Sequence, residues 1–194
     1  MKLVLATTNK RKRSTFVSYF QTLPVALSFM GATVDVEETE SSFCGNAEKK
    51  AAAARGNEEE AIIVSEDSGL VVPALDGFPG VRTARFMEGT DDDRAKALIQ
   101  KLDGVPMSKR QAYFVSVIVI DFPNGEKKIC RGEQHGWVEA TMKGKESEGY
   151  TRIFLRSNGC TLSEDNEEAK QVNHRTDALY QATSVIEEWL NANG

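Results

Sequence analysis

The run Ala61-Ile62-Ile63-Val64, followed at once by Ser65 and the acids Glu66 and Asp67, leaves few folds open to this chain. Apolar, β-branched residues in so short a block read as a buried strand, and that strand delivers two adjacent carboxylates into the turn announced by Ser68-Gly69. Clustered carboxylates at a strand end need a partner. A hard divalent cation neutralises them and can grip phosphate oxygens on its other side. The same residue types also make an ordinary solvated acidic turn, so the rest of the chain has to decide.

The surrounding pattern alternates strands with helices. Lys2-Leu3-Val4-Leu5-Ala6 predicts a strand, and Asn9 to Phe20 predicts a helix with Phe16, Val17 and Phe20 on one side. Val34-Asp35-Val36 is a further strand candidate, and Asn46 to Ala54 has strong helix propensity. A loop punctuated by Gly and Pro from Pro73 to Gly80 precedes Asp91-Asp92-Asp93, acids suited to open a helix that runs to Leu102. Beyond Arg110, apolar alternation over Ala112–Phe122 and Lys127–Val138 flanks Pro123-Asn124-Gly125, a hairpin signal. Val172 to Leu190 closes the chain with an amphipathic helix. The expected class is α/β, a mixed, twisted sheet with flanking helices. With 194 residues, 40% of them hydrophobic, one domain or two closely associated lobes is expected.

Composition excludes several functions. A net charge of −5 argues against a nucleic-acid binder, which would show a basic stripe. The sequence has neither a long apolar run nor a basic start leading into an apolar segment, so a cytoplasmic protein is expected, without membrane spans or a secretion signal. Cys44, Cys130 and Cys160 are odd in number and far apart, which suits a reducing compartment. Two histidines, His135 and His174, make structural zinc a poor fit.

Three further segments carry charge where chemistry would use it. Thr7-Thr8-Asn9-Lys10-Arg11-Lys12 lies between a strand and a helix start, where free N–H groups and the helix dipole favour anions. It lacks the glycines of a P-loop. Glu37-Glu38-Thr39 precedes a helix offering Lys49 and Lys50, so a carboxylate there would complete a metal site begun by Glu66 and Asp67. Asn173-His174-Arg175 opens the last helix, a natural place for an anion or a base edge. Each also has a plain alternative: a solvated basic turn, an acidic helix start and a capped helix start.

Taken in order, the segments resemble the inosine triphosphate pyrophosphatase family nearly end to end. The family's Ala-Thr-x-Asn-x-x-Lys is met by Ala6 to Lys12, and its Glu-Glu-Thr, Phe, Asn-Ala and Lys-Ala features by Glu37-Glu38-Thr39, Phe43, Asn46-Ala47 and Lys50-Ala51. The central signature appears as Glu66-Asp67-Ser68-Gly69-Leu70, Ala74-Leu75-Asp76-Gly77-Phe78-Pro79-Gly80-Val81 and Ala84-Arg85-Phe86. The resemblance implies hydrolysis of deaminated purine triphosphates such as ITP, dITP and XTP to the monophosphate and pyrophosphate. It implies Glu38, Glu66 and Asp67 around magnesium, with manganese as a possible substitute, and assigns catalysis to Asp67 and Glu66, Asp67 activating the water. Thr7, Thr8, Asn9, Lys12, Lys50 and Ser68 would hold the triphosphate; Gly149, Tyr150, Lys170, His174 and Arg175 would complete the substrate site, with Tyr150, His174 and Arg175 near the base end. It further implies an elongated fold spanning residues 1–194 as one domain of two lobes with a cleft between them, and a homodimer.

The base-reading segment departs from the family pattern Gly-Phe-Gly-Tyr-Asp-Pro-Ile-Phe, reading Ser147-Glu148-Gly149-Tyr150-Thr151-Arg152-Ile153-Phe154. Glu148 stands where an aromatic would stack on the base, a contact worth roughly 1–3 kcal/mol elsewhere. Thr151 replaces a carboxylate, Ala169 takes the position of a lysine that appears one residue later as Lys170, and the first loop lacks a glycine between Asn9 and Lys12. These changes spare the residues that the resemblance assigns to hydrolysis and fall on those it assigns to base recognition. A non-catalytic nucleotide binder, or a phosphohydrolase for another modified nucleotide or phosphorylated metabolite, remains as the alternative.

Overall fold

A computed structural model of the chain describes residues 1–30, 36, 39–56, 58–145, 148–165 and 171–193. In chain order its main elements are β1 (Lys2–Leu5), α1 (Lys10–Phe20), β2 (Ala26–Phe29), α2 (Phe43–Arg55), β3 (Ala61–Val71), α3 (Asp91–Lys101), β4 (Gln111–Asp121), β5 (Lys127–Val138), β6 (Phe154–Leu155) and α4 (His174–Asn193). The strands form one six-stranded sheet in the order β2-β1-β3-β4-β5-β6. Leu3 on β1 is in parallel register with Leu27 on β2 and Ile62 on β3, whereas β6 is antiparallel to β5. The sheet is therefore mixed and flanked by helices, the α/β class that the pattern predicts.

Local chemistry sets the helix starts. Asn9 caps α1, its Oδ1 accepting from the N–H groups of Arg11 at 3.0 Å and Lys12 at 3.3 Å. Ser42 caps α2, and Thr90 and Asp93 form a capping box at the start of α3, whose first turn carries three acids that complement the helix dipole. Between β4 and β5 the chain reverses through a turn closed by Phe122 N–H on Glu126 O at 2.9 Å. Gly125 occupies a positive φ of 83° there, a conformation that side-chain-bearing residues resist.

The residues cluster into two compact units, Met1–Ser68 with Ser116–Gly132 and His174–Gly194, and Gly69–Val115 with Glu133–Asn173. In the first, alternation along the strands splits the apolar residues between two faces. Leu3, Leu5, Ile62, Val64, Ile118 and Ile120 pack with Phe16 and Phe20 of α1 and Ala178, Ala182 and Ile186 of α4. Val4, Ile63 and Val119 meet Ala47, Ala51 and Ala54 of α2, whose small side chains fit close helix–sheet contact. The second unit has its own core, in which Leu70, Ala112 and Val138 pack with Leu98 and Leu102 of α3 and with Tyr150, Ile153 and Phe154.

The structure departs from the expected pattern in three places. β3 does not turn at Ser68-Gly69 but runs to Val71, because Leu70 and Val72 enter the second core and Leu70 N–H is taken by Thr83 Oγ1 at 2.8 Å. The acids thus lie within a strand and not in a turn. β2 carries a half-exposed pattern with no clean alternation, and β6 has two residues; tertiary pairing makes both, not propensity. The strand candidate at Val34-Asp35-Val36 falls outside the described residues except for Val36, which has no regular structure.

Gly132 on β5 marks a close helix–sheet approach. A Cβ there would collide with the main-chain oxygen of His174 and would lie 2.7 Å from Ala178 N. The obstacles are backbone and cannot rotate aside. Gly132→Ala is expected to cost about 3 kcal/mol or more of stability, read as a fall in midpoint in urea unfolding.

Candidate active site

The site follows from a mismatch in strand length. β1 is spent after Ala6 N–H donates to Val64 O at 2.8 Å, while β3 continues. Glu66 and Asp67 therefore lie past the carboxyl end of β1, at the level of the loop that leads into α1. Arg13 fastens that loop: its Nε donates to Thr7 O at 2.9 Å and its Nη2 to Met30 O at 3.3 Å, while the guanidinium sits 4.8 Å from the Phe29 ring centroid. Thr7 Oγ1 accepts from Asn9 N–H at 3.3 Å, and Thr8 is exposed.

Strand alternation gives the two acids different surroundings. Glu66 shares its face with Ile62 and Val64 and points toward α1 and α4. Its side chain is fully buried: Oε2 pairs with Lys12 Nζ at 2.6 Å, and Oε1 accepts from Ser116 Oγ at 2.8 Å and Arg175 Nε at 3.2 Å. Burial pushes the carboxyl group up, but Lys12 and Arg175, with the bonds from Lys12 and Ser116, outweigh it and hold Glu66 well below the usual carboxylate range. Arg175 Nη2 also donates to Ser68 Oγ at 3.1 Å.

Asp67 shares its face with Ile63 and Ser65 and points toward α2, which Ser65 Oγ grips through Ala47 O at 2.7 Å. Asn46 Nδ2 donates to Asp67 Oδ2 at 3.0 Å, and Lys50 Nζ donates to Oδ1 at 3.0 Å and to the Glu66 main-chain oxygen at 3.2 Å. Asn46 is itself buried, and its Oδ1 accepts from Glu40 N–H at 3.1 Å, so Asp67 is oriented by a side chain that is fixed in turn.

Of the residues expected at the site, Asn9, Lys12, Lys50, Glu66, Asp67, Ser68 and Arg175 come together in the first unit, Asn9 through the cap that fixes Lys12 N–H. Arg175, assigned by the resemblance to the base end, lies against Glu66 and Ser68. Gly149 and Tyr150 belong to the second unit. Gly149 N–H donates to Asp91 Oδ2 at 2.6 Å, and Tyr150 is a core residue whose hydroxyl donates to Thr83 O at 2.8 Å. Burial raises the Tyr150 phenol far above its ordinary value. The divergent Arg152 pairs with Asp92 at 2.7 Å. Glu38 and Lys170 lie outside the described residues. Two contributors are not singled out by the sequence. Ser116 is a lone hydroxyl in an apolar strand, a faint signal, and Asn46 enters only as part of a motif.

Among the described residues no group of three or more His, Cys, Asp and Glu side chains gathers as a metal cage. The donors present are oxygens, which suits a hard cation held by one or two carboxylates and by substrate phosphates. Asp67 fits that role.

The fold and site define an α/β protein whose cationic side chains frame a pair of acids beyond a parallel strand end. The model of the Ham1 family matches residues 3–185, so the chain belongs to that family. It is 48% identical over 190 residues to the non-canonical purine NTP pyrophosphatase homolog of Halalkalibacterium halodurans, covering 97% of each chain. The dITP/XTP pyrophosphatase of Symbiobacterium thermophilum is 36% identical over 92% of this chain and 91% of its own. Among solved structures, the Staphylococcus aureus Ham1 protein superposes with a TM-score of 0.87 at 29% identity, covering 97% of this chain and 99% of that one. The HAM1 protein from Coxiella burnetii gives 0.88 at 30% identity over the same shares.

His174, next to Arg175, is pushed down to about 3, first by burial and then by the Arg175 charge, with Glu66 opposing. The unfolded chain therefore binds a proton that the folded one refuses between the ordinary imidazole value of 6.5 and about 3. Stability is expected to fall as pH drops below about 6.5. Below about 4.5 Glu66 adds a loss of the same sign, since its folded value is depressed. Thermal unfolding across this range should show that His174→Gln flattens the upper part of the decline.

Proposed function

We propose that this protein hydrolyses deaminated purine nucleoside triphosphates, such as ITP, dITP and XTP, to the monophosphate and pyrophosphate. The observation that carries the reading is the convergence of Lys12, Lys50 and Arg175 on Glu66 and Asp67, beside the capped start of α1. A triphosphate is a tetraanion. Lys12, Lys50 and Arg175, with the dipole of α1, supply the positive charge such an anion needs. Ser68 Oγ and the Asn9 amide supply polar contacts beside those charges.

In this reading Asp67 orients and deprotonates the attacking water, as a general base must from a fixed position. Asn46 supplies the fixity by holding one carboxylate oxygen. Lys50, held on the other oxygen and on a main-chain carbonyl, is the cation that a bound polyphosphate would compete for. The resemblance implies magnesium here, with manganese able to substitute, and assigns it Glu38, Glu66 and Asp67, of which Asp67 presents a carboxylate suited to a hard cation. When bound, it would neutralise phosphate oxygens and stabilise the charge that develops in phosphoryl transfer. Purine selection falls to groups other than these, and Glu148, Thr151 and Arg152 make it particular to this chain.

The dITP/XTP pyrophosphatase relatives support the choice of base. Pyrophosphate release measured with magnesium over a panel of triphosphates is expected to show kcat/KM for inosine or xanthosine triphosphate exceeding that for adenosine triphosphate by roughly tenfold or more. No turnover of any triphosphate, or tight binding without hydrolysis, overturns the proposal. Asp67→Asn should lower kcat by about 10²–10⁴-fold, the ordinary contribution of a general base, with the fold intact by circular dichroism.

A further inference from the structure

The two acids are adjacent in sequence yet meet different surroundings. Glu66 is enclosed by Lys12 from α1, Arg175 from α4 and Ser116 from β4, and none of its carboxylate is exposed. Asp67 instead meets Asn46 and Lys50 of α2. A divalent cation on the Asp67 face would have the strand itself between it and the Glu66 carboxylate. To reach Glu66 directly it would have to displace two cations, leaving them unneutralised beside the incoming ion. Among the described ion pairs of Glu66, Lys12 and Arg175 outnumber the one carboxylate by a single positive charge. Such a place repels a metal ion and attracts a phosphate.

We infer that Glu66 is a positioning residue and not a metal ligand: a buried counter-ion that holds Lys12 and Arg175, and through Arg175 the Ser68 hydroxyl, ready for the polyphosphate. This rests on the reading of the site as one for a nucleoside triphosphate. Lysine and arginine side chains are long and lose much rotamer entropy when fixed. Anchored to one buried carboxylate, cations from two helices are ordered before the substrate arrives, so less of that loss is charged to binding. The Ser116 hydroxyl fixes the carboxylate in turn.

The test separates anchoring from ligation. Affinity for inorganic pyrophosphate is measured by calorimetry in the presence of a chelator, with no divalent cation, and the magnesium concentration that half-activates turnover is measured separately. Glu66→Gln keeps the shape and loses the charge; it is expected to weaken pyrophosphate binding about tenfold while leaving the half-activating magnesium concentration within about twofold. Ser116→Ala, which removes one anchor of the same carboxylate and is the gentler change for folding, should weaken pyrophosphate binding about threefold, again with magnesium dependence unchanged. Equal or tighter pyrophosphate binding in folded variants, or a raised magnesium requirement with pyrophosphate binding unchanged, overturns the inference. Wild-type protein that turns over no triphosphate would defeat the pyrophosphatase reading, while the pyrophosphate comparison would still decide the role of Glu66.

Discussion

A buried carboxylate on a central strand is the constraint around which the first unit is arranged. The Glu66 side chain is fully buried, and an unpaired charge in that position would cost several kcal/mol. The chain answers with a lysine from one helix, an arginine from another and a hydroxyl from the neighbouring strand. Because Lys12 stands on the first turns of α1 and Arg175 at the start of α4, the carboxylate fixes where both helices begin relative to the sheet. Phe16 and Phe20 of α1, and Ala178 and Ile186 of α4, then fill the apolar surface below those contacts. The ion cluster and the core are two ends of one packing arrangement.

Strand alternation does the other half of the work. A period of two places Asp67 opposite Glu66, among the small residues of α2 and not among the aromatics of α1. The alanine face of α2 brings the helix close, so Asn46 and Lys50 can reach a short side chain such as aspartate. Two acids that look interchangeable in one dimension thus become an enclosed counter-ion and an oriented carboxylate.

Much of this architecture is legible in the amino-acid sequence. The helices at Asn9 to Phe20, Asp91 to Leu102 and Val172 to Leu190, and the hairpin about Asn124-Gly125, carry local signals: caps, periodicity and turn residues. β2 and β6 carry none, because their pairing is decided by neighbours distant in sequence. The reading of Glu66 and Asp67 as a turn fails for a related reason. Ser68-Gly69 are turn-forming residues, yet the strand passes through them because Leu70 and Val72 have a second core to enter. Tyr150 enters the sequence reading through a motif, while its packing in the second core and its bond to Thr83 O are visible only in the fold.

By itself the sequence determined the elements, the α/β class and the cast of charged residues, since propensity, capping and hydrophobic period act over a few neighbouring positions. It could not assign those residues to partners. That Lys12, Arg175 and Ser116 meet on one acid while Asn46 and Lys50 meet on the other was decided only by tertiary structure. The reason is physical: a buried charge is satisfied by whatever side chains the packed helices bring within about 3 Å, and that distance is set by the fold and not by spacing along the chain.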